Sequence, residues 1–501
     1  MKNNPRKTYL MKALQGRAEI YRIIGENIKA IDDSKRGLIF SKTIKNKKST
    51  ADFLLQLSSI YGGIGRFTES REYSQRSLKI YQQIKDKPGQ ADSIHMIGTT
   101  YMNQENYKDA FDYYNKAFSI RKEINDKEGQ GKSYFNIANL LHLSGENRKS
   151  LHHYNKALLI FQDLDNKLAE AETLRGISNV FRFLGDFKKA LEYQTKAISI
   201  SRQIDDRKGQ ALHLNYLGNM YIGLAEYKRA LECFEEYYKI SEEIGNDRMR
   251  ASSLNNQGIV YQCIADYKRA LHCYSKSLSI KRKINDKIGQ ASNLHNIANI
   301  YFFMGNYERA LEYYRKSHSL YEEFGNFKFV SICTNSIGNT LLALRKYKEA
   351  TKYINECLEL SEKSGSKDLI RNAALSFAEL ELSKNNPYKA KPYIDISAQM
   401  AHDLDFPSGE AESLILEGRY ESIIGFNEKA EMELKKAISI LEDINRPYKL
   451  FSACYYLGEH FCLQGKYDDA LQYLQKSKIF FHKIGNKDYV NRINRLLKKI
   501  G

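Results

Sequence analysis

The chain has 501 residues, with 78 Lys plus Arg against 60 Asp plus Glu and a formal charge of +18. That balance suits anionic partners such as acidic peptides, nucleic acid or a membrane surface, and it equally suits the solvated face of a helical array. No stretch approaches 18 consecutive apolar residues, which excludes a membrane-spanning helix. Residues 1–10 are basic and polar with no apolar run behind them, so no secretory signal is expected and the reading is a cytoplasmic protein. The seven cysteines form no CxxC and no Cys/His pair at zinc spacing, which points to packed, reduced thiols and to no metal or other cofactor.

From about residue 11 to residue 490 the sequence repeats every 40 residues. One column contains Ala30, Ser70, Ala110, Ser150 and then alanine at every step from Ala190 to Ala470. A second contains Ala18, Ser58, Gly98, Ala138, Ser178, Gly218, Gly258, Ala298, Gly338, Ala378, Gly418 and Gly458. A strict period of this length predicts a solenoid, in which each unit buries its apolar face by stacking on its neighbours. The expected fold is an all-α superhelix of about twelve helix-turn-helix units, filling nearly the whole chain and leaving no room for a separate catalytic domain.

In chain order, the stretch 1–50 reads as a lead and a degenerate capping unit. It keeps Ala18, Tyr21, Gly25 and Ala30 and then turns strongly basic. Regular units follow over 51–370. In the clearest block, Leu294, Ile297, Ile300, Tyr301 and Met304 recur at helical spacing, Gly305-Asn306 breaks the helix, and Ala310, Leu311, Tyr314 and Ser317 restart it. At the joints, Gly, Asn or Asp (Gly245, Asn285, Asp165) precedes a capping column of Asp86, Asp126, Asn166, Asp206, Asn246, Asp286, Asn326, Ser366 and Asn486. A divergent section covers 371–485 and holds Pro387, Pro392, Pro407 and Pro447; Pro392 is near a helix start, where it is tolerated or bends the helix. The segment 486–501 reads as an amphipathic capping helix.

These columns resemble the tetratricopeptide repeat, whose pattern appears in residues 291–320 as Leu294, Ile297, Ala298, Tyr301, Gly305, Tyr307, Ala310, Tyr314 and Ser317. The usual unit is about 34 residues, and this chain departs from it. Its 40-residue unit, with joints such as Ile-Asn-Asp-Lys-Ile-Gly-Gln-Ala at 284–291, looks like the subgroup in the LGN/Pins spindle-orientation adaptors and in bacterial signalling proteins. No segment resembles the Gα-binding motifs that follow the repeats in those adaptors.

The resemblance implies that the first helix of each unit lines a concave groove. The position after the small residue holds Asn139, Asn179, Asn219, Asn299 and Asn339, interrupted by Ile259, with Asn136, Asn256 and Asn296 three positions earlier. In the resembling adaptors such asparagines bond the backbone of an extended peptide, and an amide offers both donors and an acceptor for that purpose. The alternative is that these amides tie neighbouring helices together. By the same mapping His95, His142, Arg175, Arg182, Phe183, His295 and Phe303 flank the site, where basic groups suit an acidic peptide. The ladder spans roughly 91–345 and fades at Glu379, Arg419 and Glu459.

Nothing points to catalysis. Gly62-Gly63-Ile64-Gly65 has no strand before it and occupies a repeat turn, and His152-His153 lacks an HExxH spacing. The expectation is a non-enzymatic scaffold or adaptor binding an extended or helical segment of a protein or peptide partner. One alternative is an RNA-binding array drawing on 36 tyrosines; the other is a peptide-sensing signalling regulator.

Overall fold

The computed structural model describes residues 5–23 and 26–500, so Gly25, the first four residues of the expected lead and Gly501 lie outside the described residues. Within them the chain forms 25 α-helices: twelve helix-turn-helix pairs and a trailing helix, Lys487–Ile500. From Asn27 onward a helix starts every 20 residues, and nearly all are 17 residues long. This is the all-α solenoid the period implies.

The metronome is set by the linkers. Every twentieth residue from Lys45 to Gly485 has a positive φ, ten of them glycine and thirteen not. All but two sit in the middle of a three-residue linker, Gly365 and Gly425 opening two-residue ones, and the left-handed conformation ends one helix and turns the chain into the next. The turns inside a unit and the joints between units are therefore the same device. The expected caps behave as such: Asp86, Asp126, Asn166, Asp206, Asn246, Asp286, Asn326 and Asn486 each accept a hydrogen bond from the backbone N–H three residues on. Ser366 is the exception in that column and makes no side-chain cap bond. Pro387, Pro407 and Pro447 occupy first-turn positions, where a missing N–H costs nothing. Pro392 lies inside Pro387–Asp403, which runs through it as a single helix.

The small columns are where paired helices touch. A Cβ built on Gly218 would meet Phe234 at 2.6 Å, and one on Gly258 would meet Tyr274 at 2.6 Å. Where serine takes a small position, its hydroxyl bonds the backbone of the partner helix: Ser58 to Ser70 O, Ser150 to Ala138 O and Ser178 to Ala190 O, each at 2.7 Å. Ala310 is fully buried against Leu311, Tyr314 and Ile337. Ala310→Leu is expected to overpack this contact and lower stability by about 1–3 kcal/mol, read as a fall in the midpoint of thermal unfolding.

The chain packs as two compact units, residues 1–213 and 214–501, divided within the helix Arg207–Gly223. In unit 1 the core is a succession of local clusters, such as Phe53, Leu54, Leu57 and Tyr61, and then Ala110, Tyr114, Ile137 and Leu141. Each joins neighbouring helices only.

Unit 2 adds a contact of another kind, in which its end returns to its beginning. Arg446 Nη1 donates to Cys263 Sγ at 3.3 Å, and Asn486 Nδ2 donates to Phe303 O at 2.9 Å, both across 183 residues. The Tyr307 hydroxyl donates to Asp488 at 3.2 Å, and the Tyr227 hydroxyl to Asn445 O at 3.3 Å. Between these bonds lies an aromatic seam. The Phe303 ring is 4.6 Å from Tyr448, and Tyr489 stacks on Phe481 at 4.0 Å. Gly305 belongs to the seam as well: its φ is +71°, and a Cβ there would lie 2.7 Å from Asn486 Oδ1. Phe303, expected as a groove residue, is thus a closing residue.

Candidate functional site

The asparagine column comes from the first helices of the pairs, and the structure gives its members different tasks. In unit 1, Asn139 Oδ1 accepts the hydroxyl proton of Tyr154, a side chain of its own pair. Asn179 Nδ2 lies 3.0 Å from His142 Nε2, and its carbonyl accepts from Arg182 at 2.9 Å. Arg182 is exposed, whereas Arg175 is half-buried one turn before Asn179. His142, Asn179 and Arg182 therefore form one connected polar chain.

In unit 2, Asn219 is exposed and donates to Asn215 O at 2.9 Å, while Asn256 Nδ2 donates to Asn215 Oδ1 at 2.7 Å. Asn296 repeats that bond to Asn255 at 3.1 Å. Asn299 accepts from the Tyr314 hydroxyl. His295 is half-buried on the Tyr314 ring, with Cys333 Sγ 3.5 Å from its Nδ1; burial lowers its pKa to about 4, so it is neutral at pH 7. Several rungs are thus engaged with neighbouring repeats. Asn339 instead faces open space.

That space is a cavity of about 810 Å³ in unit 2. Asn335, Asn339 and Asn372 reach it from the helices Phe327–Ala343 and Lys367–Ser383. Glu379, Glu412 and Glu459 come from three successive first helices, and Tyr448, Tyr455 and Tyr456 from Pro447–Leu463. The trailing helix closes another side with Tyr489, Arg492, Arg495, Leu496 and Lys499. The volume falls within the roughly 300–1,000 Å³ of small-ligand sites.

The carboxylates of this cavity are largely neutralised. Glu379 pairs with Arg419, whose guanidinium also stands 4.3 Å over the Tyr456 ring. Glu412 pairs with Lys449 and, at 2.9 Å, with Arg371. Burial pushes the Glu412 carboxyl up, but the two cations outweigh it and hold its pKa below the ordinary value. Glu459 accepts the Tyr455 hydroxyl at 3.0 Å. Asn335 Oδ1 is buried with no hydrogen-bond partner. A buried acceptor without a donor costs about 1–3 kcal/mol, so a ligand N–H there would relieve it.

Of the expected ladder, the structure brings Asn339 to this cavity, beside Glu379 and Glu459, where the ladder fades. Asn335 and Asn372 lie outside the asparagine column and were not singled out; Asn335 shares its position in the repeat with Asn255 and His295, the one signal available. The tyrosines Tyr61, Tyr101 and Tyr301 stack on Tyr73, Tyr113 and Tyr313 at 5.3–5.5 Å, so those rings serve packing. The Lys column at 116, 156, 196, 276, 316, 436 and 476 is solvent-exposed. No three His, Cys, Asp or Glu side chains gather as a metal site, and no helix is long and apolar enough to cross a membrane, among the described residues.

The family profile of the tetratricopeptide repeat matches residues 49–123, 130–203, 209–283 and 288–363. Among curated proteins none matches. Among solved structures, the apo form of RapI is 19% identical over 55% of this chain and 99% of that chain, with a TM-score of 0.47. A Rap protein complexed with competence and sporulation factor is 14% identical over 74% and 99%, with a TM-score of 0.52. The Rap conjugation gene regulator of the plasmid pLS20, in complex with a Phr peptide, is 14% identical over 70% and 96%, with a TM-score of 0.51. At these identities the likeness concerns the fold.

Proposed function

This chain belongs to the tetratricopeptide repeat family, and on that premise we propose that it is a non-enzymatic, peptide-responsive regulator whose ligand sits in the cavity of unit 2. The observation that carries the reading is the convergence of three amides, Asn335, Asn339 and Asn372, on one cavity in which the Asn335 carbonyl has no donor. Amides recognise a peptide backbone without prescribing its sequence. The Phr peptide bound to one protein of similar fold is in keeping with it.

A short ligand suits this site better than a long segment, because the trailing helix occupies one side of the space an extended chain would need. That favours a regulator over an adaptor. Within unit 2 the rungs at Asn219, Asn256 and Asn299, with His295, belong to the proposal as secondary contacts, since a ligand would have to displace their present partners; Asn139 and Asn179, with His142, Arg175 and Arg182, are a separate candidate peptide surface of unit 1. The 40-residue unit supports placing the chain with the longer-repeat subgroup resembling LGN/Pins. Seven free cysteines, five of them buried, fit the reducing cytoplasm. RNA binding is less favoured, because the tyrosines that would stack bases already stack on one another.

The test is capture of short peptides from a mixed library by the full chain, compared with Asn335→Ala/Asn339→Ala. The double variant is expected to lose capture by at least about tenfold, the loss of one or two buried hydrogen bonds, with unchanged helicity. Undiminished capture would place the ligand elsewhere.

A further inference from the structure

The trailing helix does more than cover the last apolar surface. Arg492, Arg495 and Lys499 stand three and four residues apart, so they share one helical face, and that face lines the cavity. Arg492 pairs with Asp488 at 2.8 Å, yet its Nε–H is buried and has no hydrogen-bond partner. Arg495 and Lys499 are exposed at the rim and make no ion pair among the described residues. Arg345, another exposed cation, also borders the space.

The facing wall leaves this charge unanswered. Glu379 and Glu412 are already taken by Arg419, and by Arg371 with Lys449. Glu459 remains, held by the Tyr455 hydroxyl. The cavity therefore has an amide wall seeking an N–H donor and a basic wall where, among the described residues, Arg495 and Lys499 have no ion pair and the Arg492 Nε–H has no acceptor. A planar monoanion answers the second need, because a guanidinium pairs with a carboxylate through parallel N–H bonds.

We infer that the Arg492–Arg495–Lys499 face of the trailing helix receives a carboxylate of the bound peptide. The inference rests on reading the cavity as a peptide site. A carboxylate can come from the peptide's C-terminus or from an acidic side chain, and the two are separable.

The experiment offers the full chain three short-peptide libraries: free C-termini without Asp or Glu, amidated C-termini with them, and amidated C-termini without them. Retention of either carboxylate-bearing library, with about tenfold weaker retention of the third, supports the inference and identifies the source. The variant Arg495→Glu/Lys499→Glu, whose changes lie on exposed positions, is expected to abolish that preference while keeping helicity. Equal retention of all three libraries by the unaltered chain would overturn the carboxylate contact and leave the peptide site standing. Retention of none would overturn both.

Discussion

Phe481→Ala is expected to open the closing seam of unit 2 and to be the most damaging single truncation in the chain. The Phe481 ring is fully buried, stacks on Tyr489 at 4.0 Å and meets Tyr448 edge-on at 5.6 Å. Through those two rings it supports both returning segments, the joint before Tyr448 and the start of the trailing helix. Removing a buried aromatic of this kind costs about 3–5 kcal/mol. Because stability in a solenoid is a sum of local interfaces, the loss has an address. Hydrogen exchange is expected to show weakened protection over residues 447–500, with residues 47–203 unchanged. Undisturbed exchange near the trailing helix would mean that the seam does not hold it in place.

Glu412→Ala is expected to be the second most costly change. Arg371 is 5% exposed and Glu412 23%, so deleting the carboxylate strands a buried guanidinium. Breaking such a pair costs about 3 kcal/mol, at the lower end of the usual range because Arg371 keeps Asp368 and Asn372 as partners. The same pair has an acid signature. The Glu412 pKa is lower in the folded chain than in the unfolded one, since Lys449 and Arg371 outweigh the opposing effect of burial. Its contribution is therefore complete above the unfolded pKa and is lost as pH falls through the depressed folded value. Unfolding midpoints measured from pH 7 to below about pH 4 are expected to drop less steeply in Glu412→Gln than in the unaltered chain. Parallel curves would show that the pair contributes nothing.

What the repeat could tell was nearest-neighbour packing. Gly218, Gly258 and Ala310 sit at helix contacts because no larger side chain fits there, and a column of small residues is visible in the sequence alone. The cap at Asp286 was legible for a similar reason, being a local bond between residues three apart. The left-handed linkers were legible at Gly245 and Asn285 but not at Lys45, Glu105, Ala225 or Arg345, where the helix ends by geometry rather than by residue preference. The seam was invisible. Tyr227, Tyr267 and Tyr307 occupy one column with Tyr107 and Tyr347, and nothing in the column says which of them the end of the chain will cover. That depends on curvature accumulated over many units. The cavity followed the same logic: Asn339 was found as a member of a ladder, but Asn335, Asn372 and the trailing-helix cations meet only because unit 2 returns on itself.

The partners across the seam carry a count. Ala265 and Asn445, and likewise Gly305 and Gly485, are linker centres 180 residues apart, nine steps of 20. Nine is odd, so a hairpin within one repeat always docks on a junction between two others. Duplication or deletion of one whole repeat between Gly305 and Asn486 would preserve every adjacent interface and still bring the wrong linker opposite Phe303. Repeat copy number in this stretch therefore acts as a ruler, whereas unit 1, with neighbour-only clusters, has no such gauge to satisfy.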